Sequence, residues 1–196
     1  LKEIGWVGHT KVIGALRAYA VRHGNGPFVT EIERPVNELH SFQDEHNVHN
    51  EWQGCLRIGW FDAVATHYAM RAEWESSFDH CGYSSPPGIH SLAITNVDRM
   101  ERWLREGHDW CLCTGYEWRG GGPLVFEPGC LFPHHPGKLT EDLFQARPSY
   151  DRSGNTVEDL LVAIESLLHC PIEIASQGPT RDGKSWSGSL AEPHRK

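Results

Sequence analysis

The sequence predicts an α/β fold, a mixed sheet flanked by helices, and three observations carry that reading. Short apolar runs at residues 91–95 and 110–114 bracket a helical stretch at 97–105. The stretch 156–168 sets Val157, Leu160, Leu161, Ile164, Leu167 and Leu168 at i, i+3, i+4, i+7 spacing, the apolar stripe of a helix. A further apolar run, 171–175, follows it at once and reads as a strand. Alternation of strand and helix favours layered α/β packing over a helix bundle or a β-sandwich.

From the N-terminal side, Thr10 is placed to cap a helix through Val12, Leu16, Tyr19 and Ala20, ended by Gly24 and Gly26. Gly24-Asn25-Gly26-Pro27 then reads as a turn that needs permissive backbone. Residues 32–50 are polar and low in periodicity, a loop that offers side chains to a ligand. A second helix is expected after Trp60, with Asp62 in its first turn and Val64, Tyr68 and Arg71 on nearby faces. After Trp118, Arg119-Gly120-Gly121-Gly122-Pro123 reads as a surface connector. No internal repeat is visible.

A chain of 196 residues with 39% hydrophobic and 22% charged residues can bury a core, and it reads as one unit over 1–196. A net charge of −8 without a Lys/Arg block argues against a nucleic-acid partner, because neutralising phosphates needs a basic face. No apolar run is long enough to cross a membrane, and the expectation is a soluble, cytoplasmic protein. Six cysteines are scattered without a C-x-x-C pair, which reads as reduced thiols. Thirteen histidines, among them His40, His46, His49 and the pair His134-His135, invite a zinc reading. None has the spacing of an H-E-x-x-H helix, so no residue is assigned to a metal.

The string from Gly178 to Gly183-Lys184-Ser185 matches the P-loop pattern G-x-x-x-x-G-K-S and follows an expected strand. A working P-loop must also open a helix, whose free N–H groups hold the phosphate. The residues after Ser185 show no apolar periodicity, so a true P-loop is not expected.

Five segments in one collinear order carry a resemblance. They are Arg22-His23-Gly24-Asn25-Gly26-Pro27-Phe28-Val29-Thr30-Glu31, Gly59-Trp60-Phe61-Asp62-Ala63-Val64, Leu92-Ala93-Ile94-Thr95-Asn96-Val97-Asp98, Cys113-Thr114-Gly115-Tyr116 and the stretch from Pro171 to Arg181. Together they resemble the C-terminal half of adenylosuccinate synthetases, enzymes that join a purine nucleotide to L-aspartate. The resemblance implies a P-loop NTPase-like mixed sheet, a homodimer, Mg²⁺, and ATP or GTP as phosphate donor. It implies that the N-terminal phosphate-loop half, with the catalytic groups and metal ligands, is absent from these residues, so no catalytic residue is assigned here. The chain is then a substrate- and base-binding portion of a ligase.

Residue by residue, Ser176-Gln177-Gly178-Pro179 resembles the turn that covers the donor base. Asn96-Val97-Asp98 stands where the family usually has Lys-x-Asp. Asp98 is implied to read the donor base, and Asn96 in place of lysine opens the site to adenine. The segment from Asn50 through Gln53 to Arg57 stands at the loop that clamps aspartate, with Arg57 as the retained carboxylate clamp. The first arginine of that loop is replaced by Gly54 or Cys55, which fits a substrate lacking a 2′-hydroxyl. His23-Gly24 lies by the acceptor purine, and His23 in place of valine allows a hydrogen bond to a 2-amino purine. These departures point to the viral branch of the family, with dGMP rather than IMP as acceptor. The alternative is a non-catalytic nucleotide-binding module or degenerate remnant.

Overall fold

The computed structural model describes residues 11–34, 39–42, 49, 51–81, 88–119, 121–124, 136–152 and 154–186. Its central sheet has the order β1-β5-β8-β9, built from β1 (Ile13–Arg17), β5 (Ser91–Thr95), β8 (Ile172–Ser176) and β9 (Lys184–Trp186). β1, β5 and β8 are mutually parallel and β9 is antiparallel to β8. An antiparallel pair joins β2 (Ala20–His23) to β3 (Leu56–Gly59). A third sheet has the order β4-β6-β7, from β4 (Phe61–Asp62), β6 (Leu112–Trp118) and β7 (Ala146–Asp151). The helices are α1 (Ala63–Cys81), α2 (Val97–Arg105), α3 (Pro136–Gln145) and α4 (Val157–Leu168). α4 packs against α1 and β6, and α2 packs against β8 and the 3₁₀ turn His40–Phe42. The α/β class expected from the sequence is the class observed.

The expected first helix is a correction: the described part of that stretch forms β1 and β2. Its apolar residues also suit a strand, with alternating exposure along β1. Pairing then decides, because every residue of β1 has a parallel partner in β5, from Ile13↔Ser91 to Arg17↔Thr95. Gly14 fits this path, since a Cβ there would lie 3.1 Å from Ile89 and 3.2 Å from Leu92. A helix would leave β5 without that neighbour and carry a costly interior glycine.

α1 begins one residue after Asp62, which ends β4 rather than entering the helix. Its Oδ1 accepts the Ala65 N–H at 3.0 Å, the work of a helix-starting carboxylate. α4 has a complete capping box, with Thr156 Oγ1 accepting the Asp159 N–H at 3.0 Å and Asp159 accepting the Thr156 N–H at 3.1 Å. Val157, Leu160, Ile164 and Leu168 are its buried stripe. Within the expected loop 32–50, Phe42 is buried at 1% exposure between Tyr19 and Trp103. That aromatic group continues through Trp60 and anchors the main core. The strand expected at 110–114 starts later, at Leu112, and runs on to Trp118.

Candidate functional site

Two groups of sequence-implied residues emerge. The first lies at the carboxyl ends of parallel neighbours β5 and β8, where open α/β sheets bind ligands. Asn96 follows β5 in the left-handed region, φ 60°, and begins α2 without a side-chain cap. Its Nδ2 instead donates to the Tyr19 hydroxyl at 3.2 Å, tying this corner to the β1–β2 connection. Asp98, half-buried, stands in the first turn of α2. Opposite it, Ser176 ends β8, buried, with Oγ donating to the Gly178 carbonyl at 3.2 Å. Gln177 Nε2 donates to Glu101 Oε1 at 2.8 Å. Glu101 lies three residues beyond Asp98 on the same helix face, so this bond holds the 176–179 turn beside α2. A Cβ on Gly178 would meet nothing within 4 Å, and Pro179 is exposed. Asn96, Asp98, Ser176, Gly178 and Pro179 thus share one end of the sheet.

The P-loop string takes a path that phosphate binding does not use. Gln177 N–H donates to the Gly183 carbonyl at 2.7 Å, and Gly183 N–H to Thr180 O at 3.3 Å, so these donors close the loop on itself. Residues Arg181–Gly183 form one 3₁₀ turn, and Lys184 and Ser185 enter β9 rather than a helix. Lys184 Nζ folds back onto the Gly178 carbonyl.

The second group sits at the far end of the β2–β3 pair, where Arg22 faces Arg57 and His23 faces Leu56 in register. Gly24 has φ 79° and Gly54 φ 68°, conformations that favour glycine. A Cβ on Gly24 would lie 3.9 Å from Gln53 O, and one on Gly54 would lie 4.0 Å from Gly24 Cα, so the two turns face each other closely. His23 Nδ1 is buried without a hydrogen-bond partner among the described residues. Asn50 lies outside the described residues.

Arg57 is engaged through most of its donors. Its Nε and Nη2 fork onto the two Glu31 carboxylate oxygens at 2.8 and 2.5 Å, and its Nη1 donates to Gly24 O at 2.9 Å and Gly26 O at 2.7 Å. The Glu31 carboxylate holds the guanidinium above its ordinary pKa. Four of the five N–H donors of an arginine are therefore directed at the 24–31 loop. In this conformation Arg57 shapes that loop from beneath, and one Nη2 hydrogen is left for any other partner. The Glu31 contribution was invisible in the sequence because it joins residues 26 positions apart.

Between α1 and β6, the Tyr116 hydroxyl donates to Asp62 Oδ2. Burial pushes the Asp62 carboxyl up, against the pull of its hydrogen bonds, and raises Tyr116 as well. Cys113 beside them is pushed up to about 12 by burial.

The model of the family described as adenylosuccinate synthetase matches residues 3–184. The adenylosuccinate synthetases of Frankia casuarinae and Geotalea daltonii are each 30% identical to the chain, over 88% of it and 38% and 37% of their own lengths. That of Bdellovibrio bacteriovorus is 29% identical over 93% of the chain and 39% of its own length. The chain therefore spans under two fifths of the relatives it matches. The fully ligated adenylosuccinate synthetase of Plasmodium falciparum superposes with a TM-score of 0.65 at 20% identity, over 91% of this chain and 40% of that one, a likeness of fold. A family match covering nearly every described element, with the turns after β5 and β8 brought to one sheet end, leads to one conclusion: the chain belongs to the adenylosuccinate synthetase family.

Proposed function

We propose that the chain forms the substrate- and base-binding portion of a purine nucleotide–aspartate ligase. The observation that carries this is the gathering of Asn96, Asp98, Ser176 and Gly178 at the carboxyl ends of β5 and β8, in a chain of this family. In this reading the donor base lies between Asp98 and the 176–179 turn. Gly178 gives close access to a flat ring, and Asn96 offers both a donor and an acceptor to an adenine edge. The acceptor purine and aspartate lie by His23, Gly24, Gln53 and Asn50, with Arg57 shaping the loop between them.

The parent reaction is the condensation of dGMP, or IMP, with L-aspartate. A donor γ-phosphate activates the purine O6, and the aspartate amine then displaces it. His23 supports dGMP, since a polar ring nitrogen suits a 2-amino group, and with Asn96 it supports the viral 2-aminoadenine branch. The phosphate-activating groups are proposed to lie in sequence beyond these 196 residues, as is the Mg²⁺ donor set. Among the described residues no three His, Cys, Asp or Glu side chains converge on one point. This chain's own part is to bind and orient, and a homodimer is the proposed assembly.

Titration calorimetry of the chain with ATP and GTP, alongside Asp98→Ala, tests the reading. Weak but saturable binding that Asp98→Ala abolishes is expected, without phosphate release in the presence of dGMP and aspartate. Binding indifferent to Asp98, or steady turnover by the pure chain, refutes it.

A further inference from the structure

Beneath the 24–31 loop lies a cavity of about 340 Å³ that the proposed substrate contacts do not use. It is bordered by β2, by residues 27–29, by α1, and by Leu139 and Leu143 of α3, and it is open to solvent. Ala20, Val21 and Arg22 of β2 all border this cavity, and His23 is not among its lining residues. The volume lies in the range of small-molecule sites, and the walls at Phe28, Val64, Leu139 and Leu143 are apolar.

The cavity is lined by one acidic and one basic side chain, and they differ in how far their hydrogen bonds are already committed. Asp62 is already committed, receiving the Tyr116 hydroxyl and the Ala65 N–H. The Arg22 guanidinium has no hydrogen-bond or ion-pair partner among the described residues, although Arg57 in the facing register position makes four hydrogen bonds. The Arg22 guanidinium, on an exposed residue, lies over Gly26: a Cβ there would fall 1.7 Å from its Nη2 and 2.4 Å from its Cζ. The absence of a side chain at position 26 thus gives the guanidinium its berth. A planar fork whose donors have no partner among the described residues, beside apolar walls, is suited to a carboxylate that carries a hydrophobic body.

We infer that this cavity binds a small organic monocarboxylate with an aromatic or branched-alkyl body, its carboxylate paired with Arg22 and its body among Phe28, Val64 and Leu143. The site is distinct from the nucleotide and aspartate contacts proposed above, and its test involves neither.

The full chain is titrated by calorimetry with 3-phenylpropanoate, its neutral amide and 3-phenylpropylamine. The acid is expected to bind one to one, about tenfold or more tightly than the amide, as a charge-assisted fork requires, and the amine not at all. Arg22→Gln should bring the acid down to the affinity of the amide and leave the amide unchanged. Arg22→Lys should restore part of the loss, and Val64→Trp, which fills the cavity, should remove binding of both. Equal affinity for acid and amide, no binding of the acid at millimolar concentration, or acid affinity unchanged in Arg22→Gln or Val64→Trp overturns the inference.

Discussion

Arg57→Lys keeps the positive charge and should still destabilise the chain by about 2 kcal/mol. The guanidinium reaches Glu31 with two donors and the Gly24 and Gly26 carbonyls with a third nitrogen, whereas an ammonium is a point charge that cannot serve both sides. Two hydrogen bonds from a charged donor to carbonyls are worth about 1.5 kcal/mol each, net of exchange with water, where they are well buried. The side chains of Arg57 and Glu31 are 23% and 35% exposed, so screening removes part of that, while the two-pronged fork onto Glu31 is reduced to a point-charge contact. For a chain of this size, about 2 kcal/mol corresponds to a Tm lower by roughly 4 to 8 °C. Urea unfolding should show a lower midpoint with an unchanged slope. A double-mutant cycle with Glu31→Gln should give a coupling of about 1 kcal/mol or more. Arg57→Lys within about 0.5 kcal/mol of the parent, with no coupling to Glu31, would mean that Arg57 is no support for the loop and stands free as a carboxylate clamp.

Gly59→Ala should cost about 1 to 3 kcal/mol in urea unfolding, because its Cβ would lie 2.5 Å from the Phe28 ring and 2.9 Å from Thr30 O. An unchanged midpoint would contradict the packing described. Gly178→Ala should leave stability within about 0.5 kcal/mol, since its Cβ meets nothing within 4 Å, while weakening donor-nucleotide binding in calorimetry. A stable variant with full affinity removes Gly178 from the proposed site. The Glu173 carboxyl is held below its ordinary range by the Lys11 ammonium and then by the Ser91 hydroxyl. Its folded pKa is depressed, so its contribution is present above about pH 4.3 and is lost as pH falls through the folded value. Glu173→Gln should flatten the acid limb of stability against pH, and an unaltered limb counts against the triad. Iodoacetamide at pH 8 should label exposed Cys55 in the native chain and spare Cys113, whose buried thiol is pushed up to about 12. Mass spectrometry that finds Cys113 modified before unfolding refutes this.

The legible parts of the fold were those fixed by local chemistry. α4 announces itself through its apolar stripe, and β5 through a short apolar run followed by the helical stretch of α2. β1 was misread because its spacing suits helix and strand alike, and the deciding partner lies 78 residues away, from Ile13 to Ser91. β7 escaped notice because Pro148 interrupts it, which an edge strand tolerates opposite Tyr116. In the site, the resemblance pointed to the turns after β5 and β8, but the Gln177–Glu101 bond between them needed the sheet. Arg57 stands out in the sequence through the resemblance alone, and Glu31, which decides how its donors are directed, could be found only in space.

The central sheet has a consequence for how the chain acquires its structure. Ile13 pairs with Ser91, 78 residues on, and Leu92 with Ile172, 80 residues on. Neither pairing closes through a hairpin, so two long loops must be brought together before the sheet is rewarded with contacts, a slow route. During synthesis β5 leaves the ribosome some 80 residues ahead of β8, with Leu92 and Ile94, both 0% exposed in the finished molecule, still lacking cover on that side. The interval is an aggregation hazard rather than a defect of the native state. Slowing synthesis would lengthen that exposure, and a chaperone that shields strand edges would act before residue 172 appears, not after.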